Sequence, residues 1–201
     1  MFLRRTVLGA AAALLTAAAL PAFPIQAATP AAGFVEQLGN RALATFSRGL
    51  SAEQATQEFR TLLVEGFDLQ AIGRFVLGRY WNTATPAQQQ EYLKLFENMI
   101  VDAYAQRFRQ YSGETFKVIN SRQENERDHI VTTQIVRPNG PPVNVDWRVR
   151  DKGGNQFNIV DVIVEGVSMS VTQRSEFASV VQQRGGQVEG LLAAMRERAG
   201  Q

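Results

Sequence analysis

Few side chains in this 201-residue chain suit covalent or acid–base chemistry. There is no cysteine, and the one histidine is His129. Thiol–imidazole nucleophiles and the usual Cys/His zinc sites are thereby excluded. His129 stands between Asp128 and Ile130 at a predicted strand start. It reads as an exposed turn residue, with a charge switch as the alternative. Ser168, Ser170 and Ser175 have no evident base. Gly185-Gly186 lacks the rest of a phosphate-cradling loop and reads as a helix stop. Asp146 and Asp161 fall on predicted strands, and Asp161 interrupts an apolar run. A buried acid there would suit a general base. Pairing with an arginine, or exposure on the wet side of a sheet, accounts for Asp161 more economically.

The elements that must position these residues divide the chain in two. The first half has helical spacing. Phe34, Leu38, Leu43 and Phe46 lie on a helix over residues 33–47, and Ser51-x-x-Gln54 forms a capping box for a second helix carrying Ala55, Phe59, Leu62 and Leu63. Asp68 opens a short helix through Ile72, Phe75 and Val76 to about Gly78. Thr85-Pro86-Ala87-Gln88 is the clearest start signal, combining a capping Thr, a Pro in the first turn and a Gln three residues after the cap. The long helix that follows carries one stripe: Tyr92, Phe96, Met99, Ile100, Ala103, Tyr104, Phe108 and Tyr111, ended by Ser112-Gly113. The same residue types build a solid core or the wall of an apolar cavity, so spacing leaves both open.

The second half has a period of two. Strands are expected at 116–121, 130–136, 143–150 and 157–164. The third is the cleanest, with Val143, Val145, Trp147 and Val149 alternating with Asn144, Asp146 and Arg148, so one face is covered and the other wet. Turn residues at 138–142 and 151–155 make an antiparallel meander economical. Ser170-x-x-Gln173 is expected to cap a helix to about Arg184, and residues 187–198 form the last one. Gly78 and Gly166 sit at element ends, where a positive φ is called for. The fold class is α+β: helices packed on one face of a curved, mainly antiparallel four-stranded sheet.

Residues 1–28 read as a secretory signal peptide: Arg4 and Arg5, an uncharged apolar run from Val7 to Leu20, then Pro21, Pro24 and small residues at Ala27-Ala28. Arg4-Arg5 also resembles a twin-arginine export signal. Residues 29–201 then form a single domain. Two of the 21 Lys and Arg precede residue 29 and all 19 Asp and Glu follow it, so that domain is formally neutral. Its charge gives no argument for nucleic acid. Without disulfides, stability must come from the core, which a chain of this length can supply.

Several segments, in order and spacing, resemble the MlaC family, also called toluene-tolerance proteins. These are 67–72, FDLQAI; 76–81, VLGRYW; 84–88, ATPAQ; 111–114, YSGE; 142–148, PVNVDWR; and 161–168, DVIVEGVS. The resemblance spans roughly residues 34 to 195. It implies a periplasmic, non-enzymatic carrier that holds a phospholipid by its tails in an apolar cavity, with no cofactor beyond that cargo. The implied partners are an inner-membrane MCE-domain subunit of an ABC transporter and an outer-membrane lipoprotein complex. A related branch, HpnM, implies a hopanoid-type lipid instead. Burial of an acyl chain gains roughly 0.8 kcal/mol per methylene, so such a site needs apolar walls and no nucleophile. The expected tail-facing residues are Val145, Trp147, Val162 and Val164 on the sheet and Phe96, Met99, Ile100 and Tyr104 on the long helix. Tyr80 and Trp81 match the family's aromatic pair and would line the pocket mouth or fix the turn before Thr85. Arg79 and Arg148 match family arginines, which would contact a head group or partner or form structural ion pairs.

Two other functions compete with the carrier. An enzyme on a cone-shaped α+β fold predicts an acid or histidine deep in the cavity. A periplasmic interaction module predicts a filled core and no bound lipid.

Overall fold

The computed structural model describes residues 29–108 and 113–200. The predicted signal peptide, and Tyr111 and Ser112 of the long-helix reading, lie outside the described residues.

Among the described residues, six helices and five strands follow in the order α1 (Pro30–Phe46), α2 (Ala52–Gly66), α3 (Leu69–Leu77), a 3-10 turn (Gly78–Asn82), α4 (Pro86–Phe108), β1 (Thr115–Gln123), β2 (Asp128–Val136), β3 (Val143–Asp151), β4 (Phe157–Val164), β5 (Val167–Ser168), α5 (Met169–Gln183) and α6 (Val188–Ala199). The fold is α+β, as its pattern predicts. The fifth strand is a correction. Val167 and Ser168 fold back on β4, where a two-residue pairing is too short to show periodicity.

The start signals work through the bonds expected of them. Ser51 Oγ accepts from Gln54 N–H while Gln54 Oε1 accepts from Ser51 N–H. Thr85 and Gln88 exchange the same pair of bonds at α4, and Asp68 caps α3 by accepting from Ala71 N–H at 3.0 Å. Two boundaries differ from expectation. The first helix begins at Pro30, capped by Thr29. The fifth is capped by Ser168, whose hydroxyl accepts from Val171 N–H, and not by Ser170.

The sheet is an antiparallel meander in the order β1-β2-β3-β4-β5. Val145, Trp147 and Val149 share its covered face with Thr133, Val131 and His129 on β2. A bulge at Arg148/Val149 shifts the β4 register, so that Val164 and Val162 oppose Val145 and Trp147, and Ile159 opposes Val149. A second bulge interrupts β1 between Val118 and Asn120. Bulges of this kind bend a strand and increase its twist.

The apolar interior has two main parts. Tyr92, Phe96, Phe177, Leu191 and Leu192 form the larger one, between α3, α4, α5 and α6. Ala31, Ala32 and Val35 of α1 meet Val131, Val149 and Ile159 of the sheet in the second. A third, smaller cluster of Phe46, Ala55 and Leu62 joins α1 to α2. No described helix is long and apolar enough to cross a membrane.

Candidate functional site

Helices α1 and α2 stand over the sheet without filling the space between. The gap is a cavity of about 300 Å³. From α1 it is walled by Val35, Leu38, Gly39, Ala42, Leu43 and Phe46; from α2 and the link after it, by Phe59, Leu62, Leu63 and Phe67. The sheet contributes Phe116, Ile135, Trp147 and Ile159. Among the described residues, Glu114 is the one lining residue with an ionisable side chain, and it lies beside the exposed Thr115 where β1 begins.

Two glycines let the walls approach. A Cβ at Gly39 would fall 2.7 Å from the Phe116 ring, and one at Gly66 would fall 2.5 Å from the Leu38 side chain. Real Cβ atoms do not show such distances, so a side chain at either position would have to push the Phe116 ring or the Leu38 side chain aside. The indole N–H of Trp147 is paired within the sheet. Trp147 Nε1 donates to Thr133 Oγ1 at 2.8 Å, and Thr133 Oγ1 donates in turn to Val145 O at 3.1 Å. The indole face is left for the cavity, with Phe67 and Phe116 edge-on to it at 6.4 and 6.5 Å.

The sequence-predicted residues separate. Trp147 lines the cavity. Val145, Val162 and Val164 share its face of the sheet without reaching the cavity wall, and Val162 packs against the α1–sheet cluster. Phe96 is buried in the helical core, where Met99, Ile100, Tyr80 and Trp81 pack against it. Its ring lies 5.7 Å from Tyr92, whose hydroxyl donates to Gly73 O at 3.0 Å. Tyr104 is 36 % exposed. The long-helix stripe is therefore core from Tyr92 to Ile100, Ala103 and Tyr104 are exposed, and among the described residues the cavity takes its helical wall from α1 and α2. A helix face carrying Gly39 and Ala42 one turn apart leaves room beside the large residues. That small-residue spacing is the signal that could have found the cavity.

The acids have hydrogen-bond partners, and the histidine is packed against a ring. Asp161 accepts from Ser168 Oγ and Ser170 Oγ, each at 2.7 Å, and from the backbone N–H of Ser170 and Val162. It braces the start of α5 and does not line the cavity, and hydroxyls fill the place expected of an arginine. Arg148 pairs with Glu124, and Asp146 accepts from Thr132 Oγ1 at 2.6 Å. His129 is half-buried and not an exposed turn residue; its ring is edge-on to Phe157 at 6.4 Å. Among the described residues, no group of three His, Asp or Glu is placed to hold a metal.

A sheet and two helices over an apolar space, with the indole N–H paired to a buried hydroxyl within the sheet, make an α+β container. The MlaC protein family profile matches residues 36–197, and the chain belongs to that family. It is 25 % identical over 146 residues to the intermembrane phospholipid transport system binding protein MlaC of Haemophilus influenzae, covering 71 % of this chain and 67 % of that one. It is 22 % identical over 111 residues to toluene tolerance protein ttg2D of Pseudomonas putida, covering 55 % and 51 %. A phospholipid-binding protein from Ralstonia solanacearum, solved in complex with a phospholipid, superposes with a TM-score of 0.75. It is 28 % identical, and the match covers 84 % of this chain and 96 % of that one.

Proposed function

We propose that this protein is a periplasmic lipid carrier, non-catalytic and without a cofactor or metal. It holds a phospholipid by its tails in the cavity under α1 and α2 and shuttles it between the outer and inner membranes. Residues 1–28 act as a removable export signal, and residues 29–201 are the lipid-binding domain. Its docking partners are an MCE-domain subunit of an inner-membrane ABC transporter and an outer-membrane lipoprotein complex. The observation that carries this reading is the apolar cavity, walled by α1, α2 and the sheet, in a chain of the MlaC family.

The energetics suit a carrier. Two buried chains of about 16 carbons gain on the order of 20 kcal/mol relative to water. A bilayer offers the same tails a comparably apolar environment, so the net transfer energy is small and partner docking can bias its direction. The cavity volume stands at the lower bound of ordinary ligand sites, roughly 300–1,000 Å³.

Native mass spectrometry of the purified mature protein, with lipid identification after organic extraction, tests the proposal. A discrete added mass matching a phospholipid is expected. A hopanoid mass would move the cargo to the other branch. A clean unliganded mass, with no uptake from liposomes, would overturn the carrier and favour an interaction module.

A further inference from the structure

A second concave site lies outside the apolar cavity and shares none of its lining residues. It is an open groove of about 540 Å³ between α3, the 3-10 turn and α5. Among the described residues, four arginines line it, Arg74, Arg79, Arg150 and Arg174, with no lysine and no acidic residue in its walls. Arg150 is compensated by Asp128, which accepts two bonds from it at 2.8 and 3.0 Å. The other three are exposed, and among the described residues none of them forms a salt bridge, whereas five arginines elsewhere do.

Each of these three guanidiniums leans on an aromatic ring. Arg174 lies 5.0 Å from the centroid of Phe75, Arg79 lies 5.0 Å from Tyr80, and Arg74 lies 5.9 Å from Trp81. A ring restricts a guanidinium's orientation and leaves its charge uncancelled. Arg79 also donates one N–H to the Tyr80 hydroxyl at 3.0 Å, and its remaining N–H groups stay available. Gly78, with φ of +60°, keeps the space beside Arg174 clear, since a Cβ there would fall 3.0 Å from Arg174 Nε. Three like charges held together in a formally neutral domain call for a counter-anion. A phosphate group suits them, because its terminal oxygens accept from several guanidinium forks at once.

We propose that the groove formed by Arg74, Arg79 and Arg174 is a phosphate-binding site, separate from the acyl cavity. Two sources can supply the phosphate: lipid head groups at a bilayer surface, or soluble phosphate in the surrounding medium.

The test uses the full mature protein. Arginine Nε–H NMR signals are followed during titration with sodium phosphate. Co-sedimentation compares vesicles of phosphatidylglycerol with vesicles of phosphatidylcholine. The comparison variant carries Arg74→Gln, Arg79→Gln and Arg174→Gln, and its unchanged cavity lipid content by native mass spectrometry shows that it folds. The expected result is phosphate-dependent shifts of the three arginines, weakened roughly tenfold or more in the variant. Selective sedimentation with phosphatidylglycerol, lost in the variant, assigns the phosphate to head groups. Phosphate shifts without vesicle binding assign it to the soluble source. Loss of neither interaction in the variant, or binding only to a polyglutamate peptide, would overturn the proposal; the latter would make the groove a dock for an acidic protein segment. Because the two sites share no lining residue, failure here is distinguishable from failure of the carrier reading.

Discussion

The Trp147 indole N–H reaches diagonally across β2 and β3 to Thr133 Oγ1, 2.8 Å away, and Thr133 is fully buried. This bond gives the largest side chain on the cavity floor a polar partner inside the sheet. Thr133→Val keeps the volume and removes the acceptor. Leaving the indole N–H unpaired is expected to cost about 1–3 kcal/mol, read as a lower urea midpoint with an unchanged slope.

Two substitutions distinguish the helical core from the cavity wall. Phe96→Ala removes a ring packed on Tyr92 and Phe177 and is expected to cost about 3–5 kcal/mol, with the lipid content of the folded protein unchanged. Ala42→Trp places a large side chain in the cavity and is expected to lower the bound lipid seen by native mass spectrometry. The reverse pattern would put the acyl wall on α4.

That contrast marks where the sequence was legible. Strand alternation on β3 identified the covered face, because one-sided burial imposes a period of two. The capping residues Ser51, Asp68 and Thr85 located helix starts, because their bonds are local. The placement of α4 depends on which elements it meets, and Phe96 looks alike against lipid or against Phe177. The cavity likewise depends on the approach of α1 to β1; the Gly39 and Ala42 spacing marks a bare helix face, but nothing local says that Phe116 is what meets it.

Gly39→Ala weighs two opposing effects. Alanine favours a helix over glycine by about 1 kcal/mol. The added methyl would press on the Phe116 ring, and overpacking of this kind costs about 1–3 kcal/mol. Net destabilisation is expected in thermal unfolding. A more stable variant would show that α1 lifts from β1 at little cost.

The Arg150 guanidinium beside Asp128 holds that carboxyl below the usual carboxylate range. A depressed folded-state pKa contributes stability above the unfolded value, about 3.9, and that contribution is lost as pH falls through the folded value. Urea unfolding from neutral pH to about pH 3 should show wild type losing its advantage over Asp128→Asn across that acid window. A constant difference between the two proteins would remove the ion pair from the account.

The division of the interior has one more consequence. The α3–α6 half is complete by itself, whereas the half under α1 and α2 lacks its last apolar layer. On the carrier reading, cargo is that layer, and occupancy adds its binding free energy to folding. The unloaded protein is then an unfinished fold, more open to proteases than the loaded one. Its lifetime in the envelope would report how much lipid is in transit.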